Sequence, residues 1–122
     1  GPRVLVDLHV QVDASTTVSD GHQVAERVRE FVSHFRGQVK YWEIINEPNF
    51  SMSPEDYARL VADVAARIKG IDPQARVMGP AVCGINLDWH DTTLQAGAGK
   101  HFDIISVHDY EGNESIDPDH WR

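Results

Sequence analysis

The stretch YWEIINEPNF, Tyr41–Phe50, decides how the rest of the chain is interpreted. It begins as an apolar strand and ends in Asn46-Glu47-Pro48, where proline fixes φ and removes a backbone donor from the sheet ladder. Proteins with parallel strands collect their reactive side chains at the C-terminal ends of those strands. We therefore take Glu47 as a candidate acid/base residue. The alternative is an exposed glutamate that happens to precede a turn proline.

Composition restricts the possible functions. The chain has 122 residues, of which 41% are hydrophobic and 25% are charged, values typical of one globular domain. Its formal net charge of −8 argues against nucleic acid or an anionic membrane as the main partner, because phosphate binding needs clustered lysine and arginine. No apolar run approaches the ~20 residues of a membrane span. Cys83 is the single cysteine, so an internal disulfide is impossible.

Strand and helix patterns alternate along the chain. Period-two alternation predicts strands over 3–10, 39–46, 75–82 and 102–110, and apolar stripes at helical spacing predict helices over 20–36, 54–70 and 87–98. Ser53-Pro54 is a strong helix start, and Gly70 is its expected end. Gly79-Pro80 predicts a bulge or an end in the third strand.

This β-α-β-α-β-α-β order predicts an α/β fold with a parallel sheet and right-handed crossovers. Two architectures fit it: a small doubly wound sheet, or a segment of a (β/α)8 barrel. A whole barrel needs about 250 residues, so the chain holds roughly half of one. No glycine-rich phosphate turn follows the first strand, which argues against nucleotide binding.

Four segments resemble successive strands of clan A glycoside hydrolases. Tyr41–Asn49 resembles the fourth strand of that clan, where Trp-Glu-apolar-x-Asn-Glu-Pro carries the acid/base. Phe102–Tyr110 resembles the sixth strand of glycoside hydrolase family 39, which reads Asp-x-x-Ser-x-His-x-Tyr. Val77–Ala81 and Arg3–His9 resemble the fifth and third strands. The resemblance implies a partial TIM (β/α)8 barrel, about strands 3 to 6, formed by a single unit over residues 1–122.

The resemblance also implies roles for individual residues. Glu47 would protonate the leaving oxygen of a glycoside and then activate water, and Asn46 would bind the sugar 2-hydroxyl. His108 and Tyr110 would line the substrate site and orient the catalytic carboxylates. We add His9 and Trp42 as candidates for substrate contact. The implied partner is an oligosaccharide or another glycoside, and no cofactor is implied.

The chain departs from the clan in one respect. Retaining glycosidases use two carboxylates roughly 5–5.5 Å apart, and the clan's nucleophile is a glutamate on the seventh strand. Glu111 and Glu114 follow the sixth strand, where the family has no nucleophile. We therefore expect weak or absent hydrolysis by the chain alone. Because an open part-barrel exposes sheet edges, we also expect self-association or a need for a complementary barrel segment.

Two other functions compete with this interpretation. In a metal-dependent barrel hydrolase, Asp7, His9 and His108-Asp109 would supply ligands; we prefer no metal, since both histidines also fit a sugar site. In a non-catalytic carbohydrate-binding remnant, Trp89 and Trp121 would stack on sugars, although packing or partial exposure of a large amphipathic ring is the better explanation for each. Strand parity places Glu43 on the same face as Glu47, and we interpret Glu43 as structural.

Overall fold

The computed structural model of the chain describes residues 18–109. Its helices are Val18–His34 (α1), Pro54–Ile71 (α2) and Leu87–Gln95 (α3), and its strands are Tyr41–Glu43 (β1), Arg76–Cys83 (β2) and Ile104–His108 (β3). Short 3-10 turns lie at Pro48–Phe50 and Ala98–His101. None of the helices in this range is long and apolar enough to cross a membrane. The strand predicted over 3–10 lies outside the described residues.

The three strands are parallel and lie in the order β1-β2-β3. Trp42 pairs with Val77 across the first ladder, and Cys83 pairs with His108 across the second. The register shifts between Pro80 and Val82, where Ala81 has a φ of 54°. The predicted α/β fold with a parallel sheet is confirmed, and so is the predicted irregularity at Pro80.

Helix α2 begins where its capping residues predict. The Ser53 hydroxyl accepts a hydrogen bond from the Asp56 backbone N–H at 3.1 Å, and Pro54 opens the first turn. The prediction that Gly70 ends the helix is wrong by one residue, since α2 continues to Ile71. The Asp72 N–H still donates to the Ile68 carbonyl at 2.8 Å, which keeps Gly70 inside the last turn.

Two other predicted boundaries are also corrected. The helix predicted over 87–98 stops at Gln95, because Gly97 adopts a φ of 107° that no helix continues through. The strand predicted over 39–46 is reduced to Tyr41–Glu43, because Ile45 and Glu47 leave the extended region of backbone conformation.

The helices form one layer against one face of the sheet. The core residues shared by helices and strands are Val32, Ile44, Tyr57, Val61, Ala65, Ile68, Val77, Val82 and Trp89. Tyr57 is fully buried, and burial raises the pKa of its phenol far above the ordinary value. Gly79 allows this close approach, since a Cβ there would lie 2.9 Å from the Tyr57 hydroxyl oxygen. The opposite face of the sheet carries Glu43 and His108.

Candidate active site

The chain after β1 turns sharply because two non-glycine residues are left-handed. Ile45 has a φ of 59° and Glu47 a φ of 50°, and each such conformation costs about 1–3 kcal/mol, which contacts with the surrounding structure must offset. The Ile44 N–H donates to the Met78 carbonyl at 3.2 Å, and the Glu47 N–H donates to the Ala81 carbonyl at 3.1 Å. These two bonds fasten the kinked segment along β2, so that Glu47 lies over the C-terminal end of the sheet.

Tyr57 of helix α2 stabilises this turn through a hydrogen bond. The Tyr57 hydroxyl donates to the Ile44 carbonyl at 2.6 Å, across an interval of 13 residues in the sequence. Ile44 therefore has both backbone groups paired although β1 has already ended. A buried pair of this kind gains about 1 kcal/mol when made and costs more when one partner is lost.

Asn49 connects the turn to Cys83 of β2. The Asn49 side-chain oxygen accepts from the Cys83 N–H at 3.0 Å, and its amide nitrogen donates to the Cys83 carbonyl at 3.4 Å. One side chain thus pairs with both backbone groups of Cys83, as a neighbouring strand would. Sequence reasoning singled out Asn46 and missed Asn49. The available signal was an asparagine directly after a turn proline.

His108 lies between two glutamates at the ends of the strands. Its Nδ1 is 3.4 Å from Glu47 Oε1, and its Nε2 is 3.4 Å from Glu43 Oε2. The side chains are 16% exposed for Glu47, 25% for His108 and 33% for Glu43. The Gly84 N–H donates to the His108 carbonyl at 2.8 Å and holds the end of β3 beside β2. The result is a carboxylate–imidazole–carboxylate row, partly shielded from solvent.

Such a row can hold and move a proton. An ionised carboxylate only accepts hydrogen bonds, whereas a neutral imidazole presents one N–H donor and one lone pair. The three groups therefore take different hydrogen-bonding roles according to where their protons are. Proton transfer between positioned groups of this kind is the basis of general acid–base catalysis.

The structure brings some of the predicted site residues together and not others. Glu47 and His108 meet, and Asn46 is exposed beside them in sequence. Trp42 lies on the opposite face of β1, where its ring packs edge-on against Phe31 of α1 with 5.9 Å between ring centroids. Strand alternation explains this placement, because neighbouring residues of a strand face opposite sides. Trp42 belongs to the helix-facing side with Ile44.

Several other candidates can be located or set aside. His9, Tyr110 and Trp121 lie outside the described residues, as do Asp7, Glu111 and Glu114. Trp89 is 9% exposed and packs on Tyr57 with 5.4 Å between ring centroids, so it is a core residue. Within residues 18–109, no group of three or more histidine, cysteine, aspartate or glutamate side chains is arranged to hold a metal ion. The metal-dependent alternative also needs Asp7 and His9, so the described residues do not test it.

Comparison with known proteins points to glycoside hydrolases. A β-xylosidase of Geobacillus stearothermophilus is 29% identical to this chain, and the match covers 78% of this chain. A glycoside hydrolase family 39 enzyme of Xanthomonas axonopodis pv. citri superposes with a TM-score of 0.61, at 29% identity over 72% of this chain. A family 39 β-xylosidase of Caulobacter crescentus superposes with a TM-score of 0.58, at 27% identity over 73% of this chain.

The chain is thus similar to glycoside hydrolases of family 39 in sequence and fold, as the motif resemblance implied. It spans 22% of the Geobacillus protein, and 20% and 23% of the Xanthomonas and Caulobacter chains, so the likeness is that of a fragment. A family model described as "Cation efflux protein, cytoplasmic domain" matches residues 1–35. That match covers less than a third of the 122 residues and includes neither Glu47 nor His108.

Proposed function

We propose that this chain is the central part of the catalytic barrel of a family 39-like glycosidase. In this proposal residues 1–122 form a single unit that contributes about strands 3 to 6 of a TIM barrel. The parallel order β1-β2-β3 follows the chain order, as it does around a barrel. Helices α1, α2 and α3 share one layer, whereas a doubly wound sheet has helices on both faces.

The observation that carries the proposed chemistry is the contact between Glu47 and His108 at the C-terminal ends of the strands. Barrel enzymes place their reactive groups at that end. In the proposed reaction, Glu47 as the carboxylic acid gives its proton to the glycosidic oxygen. The bond from that oxygen to the anomeric carbon breaks as a nucleophilic carboxylate from another part of the barrel bonds to the same carbon. Water then attacks the anomeric carbon and releases that carboxylate, while the Glu47 carboxylate takes a proton from the water.

The remaining site residues follow from the resemblance. We propose that Asn46 and His108 contact the substrate together with His9 and Tyr110, and that the nucleophilic carboxylate comes from another part of the barrel. Because the relatives named above include β-xylosidases, we propose a β-xyloside or a related glycoside as substrate. The 122-residue chain alone would then turn over glycosides weakly or not at all.

Within residues 18–109, β3 is an edge strand with exposed apolar side chains, and this supports the proposal of a missing neighbour. Ile105 is 54% exposed and Val107 is 46% exposed, although both lie on the face that α1 and α2 cover elsewhere in the sheet. An exposed apolar strand at a sheet edge is a site of further pairing or packing. We propose that a complementary barrel segment covers it, and that the chain self-associates in the absence of that segment.

A chimera tests the function directly. The segment of the Caulobacter crescentus β-xylosidase that aligns with this chain is replaced by the corresponding residues of this chain, and turnover of an aryl β-xyloside is measured. We expect a folded chimera with measurable turnover that Glu47→Gln lowers sharply, while the matched charge change Glu55→Gln on α2 leaves turnover unchanged. A folded chimera that binds xylo-oligosaccharide without hydrolysing it would favour the carbohydrate-binding alternative instead.

A further inference from the structure

The two nitrogens of one imidazole each face a carboxylate, and only one of those carboxylates has a proposed chemical role. We propose that Glu43 is a positioning residue that keeps the His108 proton on Nε2, so that Nδ1 faces Glu47 as a hydrogen-bond acceptor. The catalytic meaning of this arrangement rests on the function proposed above for Glu47. The arrangement itself is a property of the chain without substrate.

The contacts of Glu43 make it suited to this role. It is the last residue of β1 and pairs in register with Met78 of β2, so its backbone is held in a regular ladder. The neighbouring N–H of Ile44 donates to the Met78 carbonyl at 3.2 Å and extends that support by one residue. Glu43 Oε2 is then 3.4 Å from His108 Nε2, across 65 residues of sequence.

The proton arrangement follows from counting donors and acceptors. If Nε2 carries the proton, it donates to the Glu43 carboxylate, and the Nδ1 lone pair is left facing Glu47 Oε1 at 3.4 Å. That pairing is favourable when Glu47 carries a proton and donates it towards Nδ1. If Nδ1 carried the proton instead, the Nε2 lone pair would face an ionised Glu43, which is repulsive.

The proposed chemistry distinguishes the two glutamates. A general acid carries the proton that it transfers, and that role falls to Glu47 in the function proposed above. Glu43 is then the carboxylate that accepts from Nε2 at 3.4 Å. The consequence is a directed row in which Glu43 orients the imidazole and the imidazole orients a protonated Glu47.

Nitrogen-15 NMR of the imidazole rings tests this directly in the 122-residue chain. The chain is labelled at its seven histidines, and His108 is assigned by the signals that disappear in His108→Gln. At the lowest pH at which the spectrum shows one protonated nitrogen in that ring, we expect the Nε2–H tautomer. Glu43→Gln is expected to shift it to Nδ1–H or to a mixture, because the glutamine amide can donate to Nε2. If the chain associates, magic-angle-spinning spectra give the same reading.

Two variants complete the test. Glu47→Gln is expected to keep the Nε2–H tautomer, since its amide can donate to Nδ1. The matched charge change Glu30→Gln on the exposed side of α1 is expected to leave the ring unchanged. An Nδ1–H tautomer in the unmodified chain would overturn the inference, as would an unchanged tautomer in a folded Glu43→Gln variant. The tautomer of His108 is measured without a sugar. A failed chimera assay would therefore refute the proposed function and leave the tautomer measurement valid.

Discussion

The two ends of the sheet both carry carboxylates, and they are built differently. At the N-terminal end, Asp103 accepts hydrogen bonds from Lys69 Nζ at 2.7 Å, Arg76 Nη1 at 3.2 Å and the Val77 N–H at 2.8 Å. The hydrogen bond from Lys69, followed by that from Val77, lowers the pKa of Asp103 from 3.8 to about 2. At the C-terminal end, Glu43 and Glu47 share one imidazole at 3.4 Å on each side.

We expect the difference to separate a structural site from a reactive one. Two cations and a backbone amide keep the Asp103 carboxylate ionised down to low pH, and Lys69 Nζ also donates to the Ala75 carbonyl at 2.6 Å. At the other end, each nitrogen of one imidazole faces a carboxylate, so the proton of the ring has two alternative positions. In barrels, features at the N-terminal end of the strands serve stability and those at the C-terminal end serve catalysis. The following predictions test whether the two ends divide in this way here.

The largest effect should come from Glu47→Gln in the chimera described above. Removing a general acid typically lowers the rate by about 10²–10⁴-fold, and we expect a loss of kcat in that range on a substrate with a poor leaving group. The loss of kcat/KM should be smaller on an activated aryl β-xyloside, because departure of its leaving group needs less proton assistance. Equal activity of Glu47→Gln and the parent on both substrates would contradict the assignment.

The next effect should come from Asp103→Ala at the opposite end. The substitution leaves the Val77 N–H without its acceptor and places Lys69 and Arg76 side by side without their shared carboxylate. We expect a loss of about 1–3 kcal/mol in the free energy of unfolding, measured by urea denaturation of the chain. As a control, Asp63→Ala removes an exposed helical ion pair with Arg67, and its cost should be about 0.5 kcal/mol or less. Equal costs for the two variants would remove the distinction drawn for Asp103.

The free energy of unfolding should depend on pH through the ionisation of Asp103. The folded-state pKa of Asp103 lies below the ordinary value of 3.8, so its contribution is present above pH 4 and is lost as the pH falls towards 2. The shift corresponds to about 1–2 kcal/mol after allowance for its partial exposure to solvent. Urea denaturation between pH 5 and pH 2 should show a steeper fall for the parent chain than for Asp103→Asn. Parallel curves would show that Asp103 is not the group responsible.

The smallest effect should come from Asn49, whose side chain connects the Glu47 turn to β2. Asn49→Ala removes both bonds to Cys83, and we expect a loss of about 1–2 kcal/mol. Asn49→Asp keeps an acceptor for the Cys83 N–H but places a carboxylate oxygen against the Cys83 carbonyl, so it should not restore the parent stability. Urea denaturation measures both. Full stability in the aspartate variant would show that the bond to the Cys83 carbonyl contributes nothing.

Sequence reasoning succeeded where the information is local. Ser53-Pro54 predicted the start of α2, and the alternation of strand and helix patterns predicted the parallel sheet. It was wrong where the backbone leaves regular geometry: the strand through Asn46 stops at Glu43, because Ile45 and Glu47 are left-handed. The parity argument for Glu43 assumed an unbroken strand, yet the two kinks still leave Glu43 and Glu47 on the same side, facing His108.

The motif around Glu47 contains residues that occupy different structural environments, and the sequence alone did not distinguish them. Trp42 stands in the same stretch as Glu47, but its ring packs on Phe31 beneath the helix layer. Asn49 is two residues beyond Glu47, and its contribution depends on Cys83, 34 residues away. A linear motif indicates which residues are near one another in the chain. It does not indicate which face of the sheet each one occupies.

The sequence by itself determined the order of elements, the helix start at Ser53-Pro54 and the likeness to family 39 glycosidases, because these depend on neighbouring residues and on short patterns. Only the tertiary structure decided that His108 stands between Glu43 and Glu47. Those contacts join residues 65 and 61 positions apart, and they depend on the parallel pairing of β2 with its two neighbours. The register of that pairing, and the turn held by Tyr57 and Asn49, arise from packing and hydrogen bonds that form only when the whole sheet is assembled.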